Sequence, residues 1–299
     1  MTQYATIDSI SDVHRFYRCE KPKHPLISVI DLTRVEPDRT EQDIMYRTGF
    51  YTIMYKCFEG AMKYGRSYYD FQEGALMFTA PGQVVASSTD TRITEGWGLF
   101  FHPDLLAGKE LGKKIQGYSF FLYDANEALH ISDEEKSLLL DCLEKIRREY
   151  SQNIDKHTRG LIVDNVQIIL DYCNRFYDRQ FFTREKAGHD VVQKFEALLI
   201  AYFTSGNLIE NGIPGVKYFA SKLNLSANYL SDLLNKFTGK TTQEHIYLQL
   251  IAEAKKMLWE SEKSISEIAY GLGFEHPSHF TKLFKGKTGL SPKEYRNSD

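Results

Sequence analysis

The side chains able to hold a metal or attack a substrate are few in this sequence, and their spacing argues against both uses. Cys19, Cys57, Cys142 and Cys173 are scattered with no C-x-x-C pair, so they read as buried free thiols and not as a zinc site or a disulfide framework. A metal centre among strands needs two or three histidines converging with a carboxylate, usually an H-x-H pair and one more from another strand. The strand-rich part of the chain offers only His24 at one edge and His102 at the other, and His102 before Pro103 suits a surface turn. His276 and His279 are spaced i, i+3, with no cysteine or third histidine nearby. These patterns supply no catalytic residue, no metal site and no cofactor, and the expectation is a protein that is not an enzyme. A metalloenzyme stays open as the alternative, and a stoichiometric transition metal in the purified protein would revive it.

Lysines are a different matter. The 299 residues carry 37 Lys+Arg against 40 Asp+Glu, a formal net charge of -3. Between His276 and Arg296 the sign reverses, because Lys282, Lys285, Lys287, Lys293 and Arg296 are set against Glu294 alone. Such a run is usually a solvated helix face. The apolar residues around it say more. Val216, Phe219, Ala220, Leu223 and Leu225 match Ile265, Ile268, Ala269, Leu272 and Phe274 at a constant offset of 49. After one extra residue, Leu230, Leu233, Leu234 and Gly239 match Phe280, Leu283, Phe284 and Gly289 at an offset of 50. A period this long is the mark of a duplicated supersecondary unit.

Each copy, 216–239 and 265–289, has the anatomy of a helix-turn-helix. A short helix carries a small residue, Ala220 or Ala269, where its partner approaches, and a turn follows at Asn224 or Gly273, types that tolerate a left-handed backbone. A second helix then packs its apolar side inward. An ordinary helical bundle is the bland reading of one copy. Two copies, each with a polar outer face, point to duplex DNA, the second helix entering the major groove with the N-terminal part of its outer face at the base edges. The base-facing residues are then Asn228, Ser231, Asp232 and Asn235 in the first copy, and Pro277, Ser278, Thr281 and Lys282 in the second. Phosphate would be held by Lys236, Lys240, His279, Lys285, Lys287 and Arg296. Between the copies Thr241 and Glu244 form a capping box opening a helix of about 19 residues, roughly 28 Å long, with Ile246, Leu250, Ala254, Met257 and Leu258 on its buried stripe. That length sets two recognition helices about one duplex turn apart.

The rest of the chain must position this module. From about 25 to 110, runs such as PLISVIDL and GFYTIMYKCFEG, broken by glycines and by Pro81-Gly82, read as short strands of a small barrel or sandwich. Ser132 with Glu135 is a capping box for a helix bearing Leu139, Leu143, Ile146 and Tyr150. A second helix from near Thr158 carries Leu161, Asn165, Ile168, Ile169, Tyr172 and Phe176, so 132–180 is a helical hairpin. Its stripe, Leu139, Leu143, Ile146 and Tyr150 with Ile169, Tyr172 and Phe176, is expected to be buried partly in a two-fold contact with a second copy. FTREKAGHD, with a glycine and no periodicity, reads as a linker over 182–190. The expected division is 1–181 for effector binding and dimerisation and 191–299 for DNA. Tyr51, Tyr55, Tyr68 and Phe78 are dense enough to line an effector pocket, or else are cross-strand packing; Arg66 would meet an anionic effector, or is simply solvated. The N-terminus has no secretory signal, and no window approaches the roughly 18 apolar residues of a membrane span, so a soluble cytoplasmic protein is expected.

The motif ISEIAYGLGFEHPSHFTKLFKGKTGLSPKEYR resembles the signature of the AraC-type (arabinose regulator) transcription factors. The family pattern I-x-x-I-A-x-x-x-G-F, then S-x-F-x-x-x-F-K, then G-x-S-P-x-x-Y-R is met here by Ile265, Ile268, Ala269, Gly273, Phe274, Ser278, Phe280, Phe284, Lys285, Gly289, Ser291, Pro292, Tyr295 and Arg296. The resemblance covers about the last third of the chain. It implies an α+β protein, with an N-terminal cupin-like β-barrel and helical hairpin followed by an all-α domain holding two helix-turn-helix units. It also implies a DNA-binding regulator, commonly an activator working with RNA polymerase, usually a homodimer controlled by a small-molecule effector. An effector-independent regulator is the variant reading. The first copy departs from the pattern, with Asp232 where a basic residue is common and Leu234-Asn235 in place of F-K. Asp232 then either accepts from a cytosine amino group, or weakens binding by repelling phosphate, or pairs with a neighbouring lysine.

Overall fold

The computed structural model describes residues 5–35, 45–59, 61–64, 67–70, 74–86, 92–124, 127–183 and 185–297. The chain divides into two compact units, 1–183 and 184–299.

In the first unit the elements run β1 (Ala5–Ile7), α1 (Ile10–Phe16), β2 (Ile27–Asp31), β3 (Met45–Thr48), β4 (Tyr51–Glu59), β5 (Ala61–Tyr64), β6 (Ser67–Asp70), β7 (Ala75–Thr79), β8 (Val84–Ala86), β9 (Arg92–Phe101), α2 (Glu110–Lys114), β10 (Leu129–His130), α3 (Asp133–Ser151) and α4 (Thr158–Thr183). Five strands form one antiparallel sheet in the order β10-β7-β4-β9-β2. Strand alternation gives it two apolar faces. Ile53, Leu76, Phe78, Leu99 and Phe101 are buried on one, where Phe78 packs on Phe120 with ring centroids 4.5 Å apart. On the other, Ile30 and Phe100 join Ile7, Ile10, Val13, Leu32 and Phe50 in a cluster under α1. A smaller sheet, β1-β3-β8, and the β5-β6 hairpin complete the strands.

The expected cupin-like barrel does not close among the described residues, and side chains meet the edge strands of the sheet. The Val29 amide, on the outer edge of β2, donates to the Tyr150 hydroxyl of α3 at 3.4 Å. At the other edge the His130 amide of β10 donates to Gln180 Oε1 at 2.8 Å, and Arg179 donates to the His130 carbonyl at 2.7 Å. Side chains of the helical hairpin thus take one main-chain group at the β2 edge and two at the β10 edge, where barrel closure would have needed strand partners.

The hairpin helices begin where the capping logic puts them. Ser132 Oγ accepts from the Glu135 amide while Glu135 accepts from the Ser132 amide, and Asp155 accepts from the Thr158 amide ahead of α4. Of the stripe expected to be buried partly in a two-fold contact, Leu139, Leu143, Ile146, Ile169 and Phe176 are buried within the chain itself, and Tyr150 and Tyr172 are half-buried. The exposed row of α4 is instead Leu161, 46% exposed, and Ile168, 43% exposed, continued by half-buried Tyr172. Among the described residues no helix is long and apolar enough to cross a membrane.

The second unit runs α5 (Glu185–Thr204), α6 (Asn207–Asn211), α7 (Val216–Leu223), α8 (Ala227–Thr238), α9 (Thr242–Glu260), α10 (Ile265–Gly271), α11 (Pro277–Thr288) and α12 (Pro292–Arg296). No strand occurs among its described residues. The 182–190 stretch is not an open linker, since from Glu185 it is already helix. Gly188, which suggested the break, has a packing cause. A Cβ there would lie 2.3 Å from the Phe237 ring, so the small residue admits an aromatic side chain to the helix.

Histidine chemistry gives this unit a pH dependence. His245 sits with Nε2 2.8 Å from Thr238 Oγ1 and its ring edge-on to Phe195. Burial lowers its pKa below the ordinary 6.5, so the fold favours the neutral ring and the unfolded chain takes up the proton first. Its contribution to stability is complete above pH 6.5 and is lost as the pH falls from there towards the lower folded-state value. Melting curves of the full chain between pH 7.5 and about 5 are expected to show that decline, and His245→Gln to remove part of it. A variant with an unchanged pH slope would contradict the assignment.

Candidate nucleic-acid interface

The two helix-turn-helix units are built by the same local rules. In α7–α8, Phe219, Ala220, Leu230, Leu233 and Leu234 are buried, and Asn224 adopts φ 56° at the turn. In α10–α11, Ile268, Ala269, Phe280 and Phe284 are buried, and Gly273 adopts φ 81°. Gly239 and Gly289 end the second helices with positive φ of 72° and 82°. The first core leans on aromatic rings of α5, with Phe195 and Phe219 centroids 5.3 Å apart. The second supplies its own, in a chain from Phe274 to Phe280 to Phe284 and on to Tyr295, with successive centroids 5.4 to 5.7 Å apart. Between them α9 is a single helix of 19 residues, Thr242–Glu260, with Ile246, Leu250, Ala254 and Leu258 on its buried stripe.

Once the apolar side of each second helix is committed to the core, the remaining positions recur at i, i+3, i+4 and i+7. In α8 these are Asn228, Ser231, Asp232 and Asn235; in α11 they are Ser278, Thr281, Lys282 and Lys285. Their exposure is uneven. Ser278, Lys282, Lys285 and Asn235 are exposed, whereas Asn228, Ser231, Asp232, Pro277 and Thr281 are half-buried. Ser231 turns towards the neighbouring helix, its Oγ accepting from the Thr242 amide at 3.3 Å. Thr281 donates to the Pro277 carbonyl of its own helix at 3.0 Å. Both hydroxyls thus have partners inside the unit, which the helical spacing alone does not reveal.

The cations also divide. Lys236, Lys240, His279, Lys282, Lys285 and Lys287 are exposed. Lys287 lies 5.8 Å from the Tyr247 ring centroid and helps hold the Glu244 carboxyl below its usual pKa, after the Thr241 hydrogen bonds of the capping box. Arg296 departs from expectation. It is half-buried, its Nη2 donates to the Lys263 carbonyl at 2.7 Å, and it pins α12 to the segment joining α9 and α10. The guanidinium thus has a main-chain partner within the unit, which the helical spacing does not reveal.

One feature escaped the spacing arguments. Pro277 occupies the first turn of α11, yet the N-cap residue His276 makes no side-chain cap bond; its ring stands edge-on to His279 at 5.4 Å. The first helix of each helix-turn-helix lacks such an opening in one case only, since α10 is closed by the Ser264–Glu267 box. α8 has its Ser226 cap, accepting from the Tyr229 amide at 3.1 Å. The first turn of α11 has no side-chain cap, Pro277 brings no N–H to it, and the His279 amide donates to the His276 carbonyl at 3.0 Å. α8 carries one aspartate and one lysine, whereas α11 carries three lysines and no carboxylate.

The effector candidates fall elsewhere. Tyr51 stacks on Phe101 with centroids 5.2 Å apart, buried Tyr55 stacks on Trp97 at 6.0 Å, and Phe78 packs on Phe120 and Phe121. All three belong to the helix-covered face of the sheet. Arg66 and the side chain of Tyr68 lie outside the described residues. His24 and His102 accept from the backbone at turns, from the Leu26 and Asp104 amides.

A helix-turn-helix domain model matches residues 219–298. Over 70 residues the chain is 39% identical to the uncharacterized HTH-type transcriptional regulator YobQ of Bacillus subtilis, covering 23% of this chain and 29% of the relative. Over 77 residues it is 34% identical to the HTH-type transcriptional activator RhaS of Escherichia fergusonii, covering 26% of this chain and 28% of the relative. The matched part therefore spans less than a third of the length of these curated relatives. Among solved structures, the C-terminal domain of the two-component response regulator yesN from Fusobacterium nucleatum is 32% identical, with 30% of this chain and 91% of that domain covered and a TM-score of 0.27.

Proposed function

We propose that the whole chain is a sequence-specific transcriptional regulator of the AraC type, a reading supported by its similarity to a helix-turn-helix domain model over 219–298 and to HTH-type regulators over 70 to 77 residues. It binds duplex DNA with both helix-turn-helix units and activates transcription, in contact with RNA polymerase, under the control of a small molecule held by residues 1–183. It works in the cytoplasm and has no enzymatic step. The observation that carries this reading is the matched pair of outer faces, Asn228 to Asn235 and Ser278 to Lys285, joined by one 19-residue helix. The second face is the stronger binder, with Lys282 at base edges and Lys285 on phosphate. The first face reads with Asn228 and Asn235, and Asp232 limits its affinity by repelling phosphate. Selection of duplexes from a random pool by the full chain, followed by footprinting, tests this. Two protected major-groove segments on one side of the duplex, about 10 base pairs apart, are expected. No enrichment, or protection of a single segment, would remove the reading.

The regulator acts as a homodimer in which a second copy covers the exposed α4 row of Leu161, Ile168 and Tyr172. Two large aliphatic side chains that are 46% and 43% exposed on one helix face support it. Sedimentation at micromolar concentration is expected to give a dimer for the native chain and a monomer for Leu161→Glu with Ile168→Glu. A native chain that stays monomeric with and without DNA would exclude this assembly.

A further inference from the structure

In a helix-turn-helix the first helix crosses the phosphate backbone while the second enters the groove. α7 and α10 are those first helices, and their outward faces differ in charge. On α7, Phe219 and Ala220 are buried, which leaves Lys217, Tyr218, Ser221 and Lys222 exposed on the opposite side. All four are hydrogen-bond donors and none is a carboxylate. At the offset of 49 the matching residues of α10 are Ser266, Glu267, Tyr270 and Gly271, a face with one carboxylate and no cation. The second helices are arranged the other way round. α11 carries three lysines and no carboxylate, whereas on α8 Lys236 is offset by Asp232. The net positive charge of each unit therefore sits on one helix, α7 in the first and α11 in the second.

Packing holds part of the α7 face in place. The Tyr218 ring stands edge-on to Tyr202 of α5 and to Phe219, with centroids 5.0 and 5.2 Å apart. Lys222 Nζ lies 5.9 Å from the centre of that ring, so the tyrosine guides the lysine and less side-chain freedom is lost when the ammonium settles on an anion. Lys217 and Lys222 are five residues apart, about 7.5 Å along the helix, which lets them reach different phosphates of one strand. A row of donors on a convex helix face suits a chain of repeated phosphates better than a single anion, which a pocket would have to enclose. We propose that α7 is the backbone clamp of the first unit, with Lys217 and Lys222 each on a phosphate of the duplex and Tyr218 and Ser221 donating beside them. This rests on the reading of the chain as a DNA-binding regulator. The two units then grip the duplex through different helices. The first holds by α7 and leaves α8, with little net charge, to read bases; the second holds by α11.

The test uses the full chain and its selected duplex, with affinity measured at several salt concentrations. Lys217→Ala with Lys222→Ala is expected to lower affinity about tenfold at moderate salt and to reduce the slope of log K against log salt by about 1.8, the share of two phosphates. The loss should be alike on selected and unselected duplexes, because backbone contacts carry no sequence information. Alanine is a good helix former, so the urea midpoint should not fall. Lys217→Arg with Lys222→Arg should bind as the native chain does. Lys194→Ala with Lys256→Ala removes the same charge from exposed sites on α5 and α9 and should change the slope far less. Equal slopes for the two alanine pairs would mean that only the overall charge matters, and would overturn the clamp. A second measurement needs no variant. Methylphosphonates placed one at a time beside the segment protected by the first unit should weaken the native chain at two positions, and the absence of any such position would also overturn the clamp. A native chain that binds no duplex would sink the regulator reading and the clamp together, whereas native binding with an unaffected α7 pair would overturn the clamp alone.

Discussion

Replacing Gly273 by alanine is expected to cost the C-terminal unit about 2–5 kcal/mol and to abolish its contribution to DNA binding. Two effects add. The residue sits at φ 81°, where a Cβ is disfavoured by about 1–2 kcal/mol. The new methyl would also lie 2.7 Å from the Leu208 carbonyl oxygen and 2.9 Å from the Gly212 Cα. Both are main-chain atoms, so no side chain can rotate to relieve the contact, and the turn must pull away from α6. Asn224 holds the equivalent place in the first unit, at φ 56°, with a side chain already accommodated. Asn224→Ala brings no new main-chain contact and should therefore cost less than Gly273→Ala. Urea unfolding of the two variants measures the difference. Equal and small effects would mean that the second turn is not packed as tightly as its contacts indicate.

The second large effect concerns binding. Lys282→Ala with Lys285→Ala should lower affinity for a selected duplex about 10²-fold at moderate salt and reduce the slope of log K against log salt by about 0.9, the share of the phosphate-bound Lys285. The matching pair in the first unit, Asp232→Ala with Asn235→Ala, removes a negative charge where the other removes two positive ones. It should leave the salt slope nearly unchanged, and raise affinity a few-fold on all sequences if repulsion is its main effect. Titrations of both variants at several salt concentrations decide the matter. A loss for the Asp232 pair confined to one operator position would mean that the carboxylate reads a base, and equal losses for the two pairs would deny the asymmetry of the two faces.

Much of the C-terminal unit was legible because its signals are local. The left-handed turns at Asn224 and Gly273, the terminal glycines and the Thr241–Glu244 and Ser291–Glu294 boxes each depend on residues within a few positions of one another. The Ser264–Glu267 box obeys the same spacing and was there to be found. What stayed hidden depends on contacts far along the chain. Nothing near Gly188 announces Phe237, and nothing near Arg296 announces the Lys263 carbonyl that accepts from it. The unclosed sheet is of the same kind, since Tyr150 and Gln180 reach strand edges 121 and 50 residues away. Aromatic density around Tyr51 and Tyr55 could not distinguish a pocket from a stack, because both bury the same rings.

The 19-residue α9 also fixes an angle. Each residue of a helix advances it by about 1.5 Å but turns it by about 100°. One residue inserted into α9 would hardly alter the separation of α8 and α11, yet it would swing the second away from the duplex and turn the buried stripe outward with it. Seven residues, a far longer insertion, would return both to within about 20° of their native bearing. The gap between the recognition helices is then set by phase before it is set by length, and the DNA they share, with its own repeat of about 10.5 base pairs, must be in step with it.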